Sequence, residues 1–137
     1  MKLSEIRQEL IGQHVELHHR MESARMADPT ELHGALVRVA DFLRMHNLRE
    51  EELMTEVFPT LDAWGMIRAE VMVGEHLEEH RELWEAVLDI ARMDPEAARA
   101  KATQLFEQLH VHMLREEKVF LNDDVLSDVV RADYFGG

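Results

Sequence analysis

Cysteine is absent from the 137-residue chain, so no disulfide, thiolate metal site or cysteine nucleophile is available to it. Proline occurs three times and glycine six, and two of those glycines are the last two residues. Long stretches therefore run without a turn residue, which argues against a many-turned β architecture and for an all-helical one. Basic residues are in short supply: 15 Lys and Arg stand against 28 Asp and Glu, a formal net charge of −13 with histidine neutral. Such a surface repels nucleic-acid phosphates and anionic membranes, so neither nucleic acid nor membrane is expected as a partner, and its ordinary role is solubility. No run approaches the roughly 18 consecutive apolar residues that a membrane span needs, and the opening residues contain no apolar signal core. A cytoplasmic location is the resulting expectation. Kinase, hydrolase, phosphate-loop and nucleotide fingerprints are all missing.

What remains is rich in helix formers, with Ala, Leu, Glu, Arg and Met dominant. Hydrophobic residues at 46% and charged residues at 31% describe one globular domain large enough for a single core. Four helices can be read. The first runs from Ser4 to Met26, the second from Pro29 to about Phe58, the third from about Ile67 to Met93 and the fourth from Pro95 to about Leu121. Asp28-Pro29 and Asp94-Pro95 each read as an N-cap followed by proline in the first helical position. Pro59 should stop the second helix, leaving Pro59 to Gly65 as a turn or irregular start. Apolar stripes at spacings of three and four mark the buried faces. They comprise Leu10, Leu17, Met21 and Ala24; Val39, Leu43, Leu53 and Val57; Met72, Leu83, Val87 and Ile90; and Leu105, Leu109 and Val119. Short connections between long helices favour antiparallel neighbours, hence an up-down-up-down four-helix bundle over residues 1–121. Residues 122–137 form an acidic C-terminal segment, read as a short helix docked through Val125, Leu126, Val129 and Val130.

The two halves of the chain echo one another at a spacing of 66 residues. His14-Val15-Glu16-Leu17 matches His80-Arg81-Glu82-Leu83. His46-Asn47-Leu48-Arg49-Glu50-Glu51 matches His112-Met113-Leu114-Arg115-Glu116-Glu117. Helix pairs repeated in this way predict a pseudo-twofold bundle with the matched positions facing its axis.

Those matched positions lie within the apolar stripes. His14 sits between Leu10 and Leu17, His46 and Glu50 between Leu43 and Leu53, and His112 and Glu116 between Leu109 and Val119. His80 follows His76 by four and precedes Leu83 by three. Residues four apart share a helix face, so each His-xxx-Glu pair aims both side chains inward. An unsatisfied buried polar group costs roughly 1–3 kcal/mol, so six of them cost on the order of 10 kcal/mol. That rivals a domain's whole stability of about 5–15 kcal/mol. Divalent cations resolve the problem, because imidazole and carboxylate are both ligands and the carboxylates balance the charge. Four histidines and two glutamates able to bridge suit two metals better than one.

In order, spacing and helix placement, this pattern resembles the hemerythrin and hemerythrin-like cation-binding family over roughly Leu3 to Leu121. The resemblance implies a metal set of His14 from the first helix, His46 and Glu50 from the second, His76 and His80 from the third, and His112 with Glu116 from the fourth. It also implies two iron ions bridged by an oxo or hydroxo group and by carboxylates. Oxygen carriers of the family resemble His-xxxx-Asp on the fourth helix, a spacing that falls on Glu117 here, whereas the internal repeat favours Glu116. His76 has no repeat-mate, its counterpart being Leu10, and the rival to ligation is a supporting polar role. If His76 binds one metal, family logic puts an open position on the His14/His46 metal.

His18 shares a face with His14 and reads as pocket wall or supporting donor. His19, His33 and His110 read as solvated, and Glu51, Glu52 and Glu117 as surface charges. Trp84 fits either the pocket wall or ordinary core packing, and the nine methionines fit core filling. A ferritin-like rival needs Glu-xx-His on two helices. Glu16-xx-His19 and Glu107-xx-His110 match by letter but lie off the repeat. The function implied is O2 or NO binding for storage, delivery or sensing. The alternatives are a di-iron enzyme acting on peroxide, and an iron-responsive interaction module using the acidic tail.

Overall fold

The structure, a computed structural model, describes residues 2–61 and 63–128, with side chains described outside residues 61–73. It is all-helical, with no strand among the described residues. The long helices are α1 (Leu3–Met26), α2 (Pro29–Glu52), α4 (Ala63–Ala91) and α5 (Pro95–Val119). Between α2 and α4 lie a π-helical stretch, Leu53–Val57, and a single-turn helix α3, Phe58–Leu61. α2 packs against both α1 and α4, α5 packs against both α4 and α1, and α2 also meets α5 across the middle. The result is a helical bundle. No described helix is long and apolar enough to cross a membrane.

The prolines account for most boundaries. Pro29 and Pro95 open α2 and α5, where the missing N–H has no intrahelical partner to lose. Pro59 takes the second position of α3, directly after the π-helical stretch, and the chain continues helical where a stop after Phe58 is expected. The preceding turn is loosened instead: the Phe58 N–H reaches the Leu53 carbonyl, five residues back. That widened turn lets two consecutive side chains, Leu53 and Met54, both be buried. The two Asp-Pro starts differ. The Asp94 carboxylate accepts from the Ala97 N–H at 3.1 Å, whereas the Asp28 side chain makes no cap bond.

Buried apolar side chains fall into two clusters. The larger gathers Leu17, Met21, Leu36, Val39, Leu43, Val87, Ile90, Leu105 and Leu109 with their neighbours. The smaller holds Ile6, Leu10, Leu53, Met54, Phe58, Phe120, Leu121 and Leu126. Along every long helix whose side chains are described, the buried polar residues lie between the two clusters.

Most stripe positions are buried as expected, with Val57 and Leu83 half-buried. Val119 is a correction: it is 49% exposed. α5 ends there, and Phe120, with φ −143°, leaves the helix and takes the buried place. Met72 lies outside the described side chains. The C-terminal segment is described only as far as residue 128. Residues 121–128 are turns and bends rather than helix, although Leu126 is fully buried and Val125 packs on the smaller cluster. Asp128 accepts from the Ser4 backbone and hydroxyl, and Arg7 donates to the Leu126 carbonyl, which straps this segment to α1. Val129 and Val130 lie outside the described residues.

Replacing Asp94 with alanine removes a formed cap and is expected to cost about 0.5–2 kcal/mol in urea denaturation. Asp28→Ala removes no side-chain cap bond and is expected to cost less than about 0.5 kcal/mol. Equal losses would show that the difference in capping has no energetic weight.

Candidate metal centre

The long helices bring their candidate groups to one layer, which on α1, α2 and α5 lies between the two apolar clusters. α1 brings His14, α2 brings His46 and Glu50, α4 brings His76 and His80, and α5 brings His112 and Glu116. Glu50 and Glu116 are completely buried, and His14, His46, His80 and His112 nearly so. His76 is half-buried, its ring 5.6 Å from that of Phe120. All seven residues singled out from the sequence are thus brought together.

They form two groups. His14, His46, Glu50 and Glu116 each offer one atom such that all lie within 4.8 Å of one another, and so do His76, His80, His112 and Glu116. Glu116 belongs to both: Oε1 is 3.1 Å from His14 Nε2, and Oε2 is 3.1 Å from His112 Nε2 and 3.4 Å from His80 Nε2. Glu50 also faces both, with Oε1 2.8 Å from His46 Nε2 and 3.5 Å from His80 Nε2.

The outer nitrogens of three of these rings are held. His14 Nδ1 donates to Glu117 Oε2 at 3.1 Å, His46 Nδ1 to Gln13 Oε1 at 2.6 Å, and His112 Nδ1 to Glu79 Oε1 at 2.7 Å. A neutral imidazole that donates from Nδ1 presents a lone pair at Nε2. The inward Nε2 atoms of His14 and His46 then face each other at 3.1 Å, next to carboxylate oxygens that also only accept. Lone pairs converging in this way repel unless protons or cations lie among them. Both oxygens of Glu50, and Nε2 of His76 and His112, are buried without a hydrogen-bond partner. A cation accepts from all of these atoms at once, so the residues fit a metal.

The acid–base balance without a cation shows the same strain. Burial, together with the neighbouring Glu116 carboxylate, holds the Glu50 carboxyl well above the usual carboxylate range. Burial opposes ionisation of Glu116 too, but the imidazoles of His112, His14, His46 and His80 outweigh it and hold this carboxyl well below that range. For His112, burial disfavours the imidazolium, yet Glu116 and Glu79 outweigh it and push the ring up to about 9. Burial lowers His76. Two carboxylates thus share a dry site by keeping protons there, and those protons are what a cation displaces.

The chain belongs to the Hemerythrin HHE cation binding domain family, whose pattern matches residues 5–122. Neither the curated proteins nor the solved structures yield a match.

Several neighbours differ from expectation. Glu117 and Glu51 are not simple surface charges: Glu117 holds His14, and Glu51 Oε1 lies 3.8 Å from His80 Nδ1. His110 is half-buried rather than solvated, its Nδ1 3.3 Å from His18 Nε2. That pairing, after burial itself, lowers the His18 pKa. His19 is exposed, as expected. His33 is exposed but donates to the Ala91 carbonyl near the end of α4. Glu16 pairs with Arg20 and Glu107 is exposed, so neither letter-match to the ferritin pattern joins a cluster. Trp84 packs on the larger apolar cluster under the Arg44 guanidinium. With Asn47, Glu51 and His80 it also lines a groove of about 220 Å³ between α2 and α4. Gln13 and Glu79 were missed entirely, although the repeat holds the signal for them: they too are 66 residues apart.

Phe120 closes one end of the site against His76 and Phe58, with ring centroids at 5.6 and 5.8 Å. Phe120→Ala is expected to cost about 3–5 kcal/mol in chemical denaturation, as for other buried aromatics. A cost under about 1 kcal/mol would show that the ring does not close the site.

Proposed function

We propose that the chain is a non-haem di-iron protein that binds O2 or NO for storage, delivery or sensing. In this reading His14 and His46 hold one iron, His76, His80 and His112 hold the other, and Glu50 and Glu116 are shared between them. The observation that carries it is the convergence of inward lone pairs on two sides of shared carboxylates, with the outer ring nitrogens of His14, His46 and His112 already tied. Family membership supports a metal cation, and iron follows from the resemblance to the oxygen-carrying members. Iron, when bound, supplies the reversible electron transfer towards O2 and NO that imidazole and carboxylate lack.

The protein's own contribution is to orient and to exclude water. Gln13, Glu79 and Glu117 fix ring tautomers, and the apolar clusters on either side keep the layer dry. The uneven histidine count leaves the His14/His46 side the more open to a small ligand. The reading includes an up-down-up-down course with a pseudo-twofold repeat. In support, Gln13 meets His46 while Glu9 meets Arg49, and Glu117 meets His14 while Arg99 meets Arg25 and Ala27. Neighbouring helices passing in opposite senses make such contacts.

Elemental analysis of protein purified with and without air should find about two cations per chain, one for each cluster. The optical spectrum should change reversibly with O2, without consumption of peroxide. Loss of added peroxide over many turnovers would instead assign the site to an enzyme. His46→Ala and His112→Ala should each lower cation content, and unchanged content in both would sink the ligand assignment. A chelator should lower the melting temperature. A site saturated at about 100 times its dissociation constant contributes about 2.7 kcal/mol. Identical melting with and without chelator would count against cation binding as part of the folded state.

A further inference from the structure

Around the candidate ligands lies an outer ring of contacts, and it repeats with the same spacing as the ligands themselves. Glu51 and Glu117 are repeat-mates, and each faces the Nδ1 atom of a repeat-mate, His80 and His14 respectively. Gln13 and Glu79 are repeat-mates as well. Each immediately precedes the histidine of its own helix and reaches across to the next: Gln13 on α1 to His46 on α2 at 2.6 Å, Glu79 on α4 to His112 on α5 at 2.7 Å. Reach and acceptor geometry are the same, and the charge is different. In the first half the acceptor is a neutral amide, and in the second a carboxylate.

We propose that this Gln13/Glu79 difference makes the two cation positions unequal, with Glu79 strengthening the position that His112 serves and Gln13 leaving the His46 position weaker. The inference rests on the two-cation reading above. A carboxylate accepting from Nδ1–H pushes electron density through the ring and makes Nε2 a better donor, and its negative charge offsets part of the cation's. An amide oxygen accepts the same bond without the charge. Arg115 approaches the same Glu79 oxygen at 3.6 Å from the solvent side, but its own side chain is exposed and Glu79 partly so, and water screens that pair. Gln13 and Glu79 are therefore positioning residues, each acting on a cation through one imidazole. His76 adds a further group on the Glu79 side, so unequal affinity alone does not test the inference. The exchange of charge does.

The experiment is an anaerobic calorimetric titration of the metal-free full chain with ferrous iron, repeated on Glu79→Gln, Gln13→Glu and the double exchange. Each exchange is nearly isosteric, so a packing role would leave both binding constants where they are. We expect two steps in the parent chain. Glu79→Gln should weaken the tighter step by about tenfold, and Gln13→Glu should tighten the weaker one by a similar factor. The double exchange should show both changes. Circular dichroism of each metal-free variant should match the parent, and either single variant suffices if the other fails to fold. Two steps that ignore the exchange, or that move together in every variant, would overturn the inference and leave the two-cation reading intact. A parent chain that takes up no pair of cations would overturn that reading instead.

Discussion

Everything in this bundle is arranged around a repulsion. Acceptor atoms from four helices point at one another in an interior that water does not reach, and two of them belong to completely buried carboxylates. Left alone, such a layer is among the least favourable arrangements a protein can bury. It persists because the surrounding structure determines it from both sides. Apolar clusters grip α1, α2 and α5 above and below the layer, and the outer ring nitrogens of His46, His112 and His14 are tied to Gln13, Glu79 and Glu117. The helices cannot rotate the imidazoles outward without exposing the apolar residues one turn away.

The same constraint explains why so much of the site was legible in the sequence. Polar residues at core positions stand out against an apolar stripe, and the spacing of 66 residues marks His14, His46, Glu50, His80, His112 and Glu116 as a set. The starts of α2 and α5 were legible because Asp-Pro has few other uses, whereas α4, with no such signal, begins at Ala63 rather than near Ile67. His76 broke the repeat and was recognisable only through the family's pattern, yet its ring joins the second group.

What escaped did so for physical reasons. Val119 fits the stripe by spacing, but the helix ends there and Phe120 turns in, a tertiary choice that periodicity does not register. Glu51 and Glu117 lie on partly exposed faces, where a carboxylate reads as solvation, and only the neighbouring helix reveals the imidazole it faces. The widened turn at Leu53–Val57 has no sequence signature stronger than Pro59, which pointed to a stop rather than to a loosened continuation. Gln13 and Glu79 act across helices, so they became visible only when the repeat was carried beyond the ligands.

The apolar residues on either side of the polar layer have a mechanical consequence. The side toward the Asp28 and Asp94 turns is backed by the cluster around Val39 and Leu43, and among the described residues the opposite side is closed by side chains from the α3 region and from the strap after α5. That strap holds Leu126 beneath the first turns of α1 through Arg7, so one end of the container is fastened by a segment outside the long helices. The layer is thus a socket built before anything fits it.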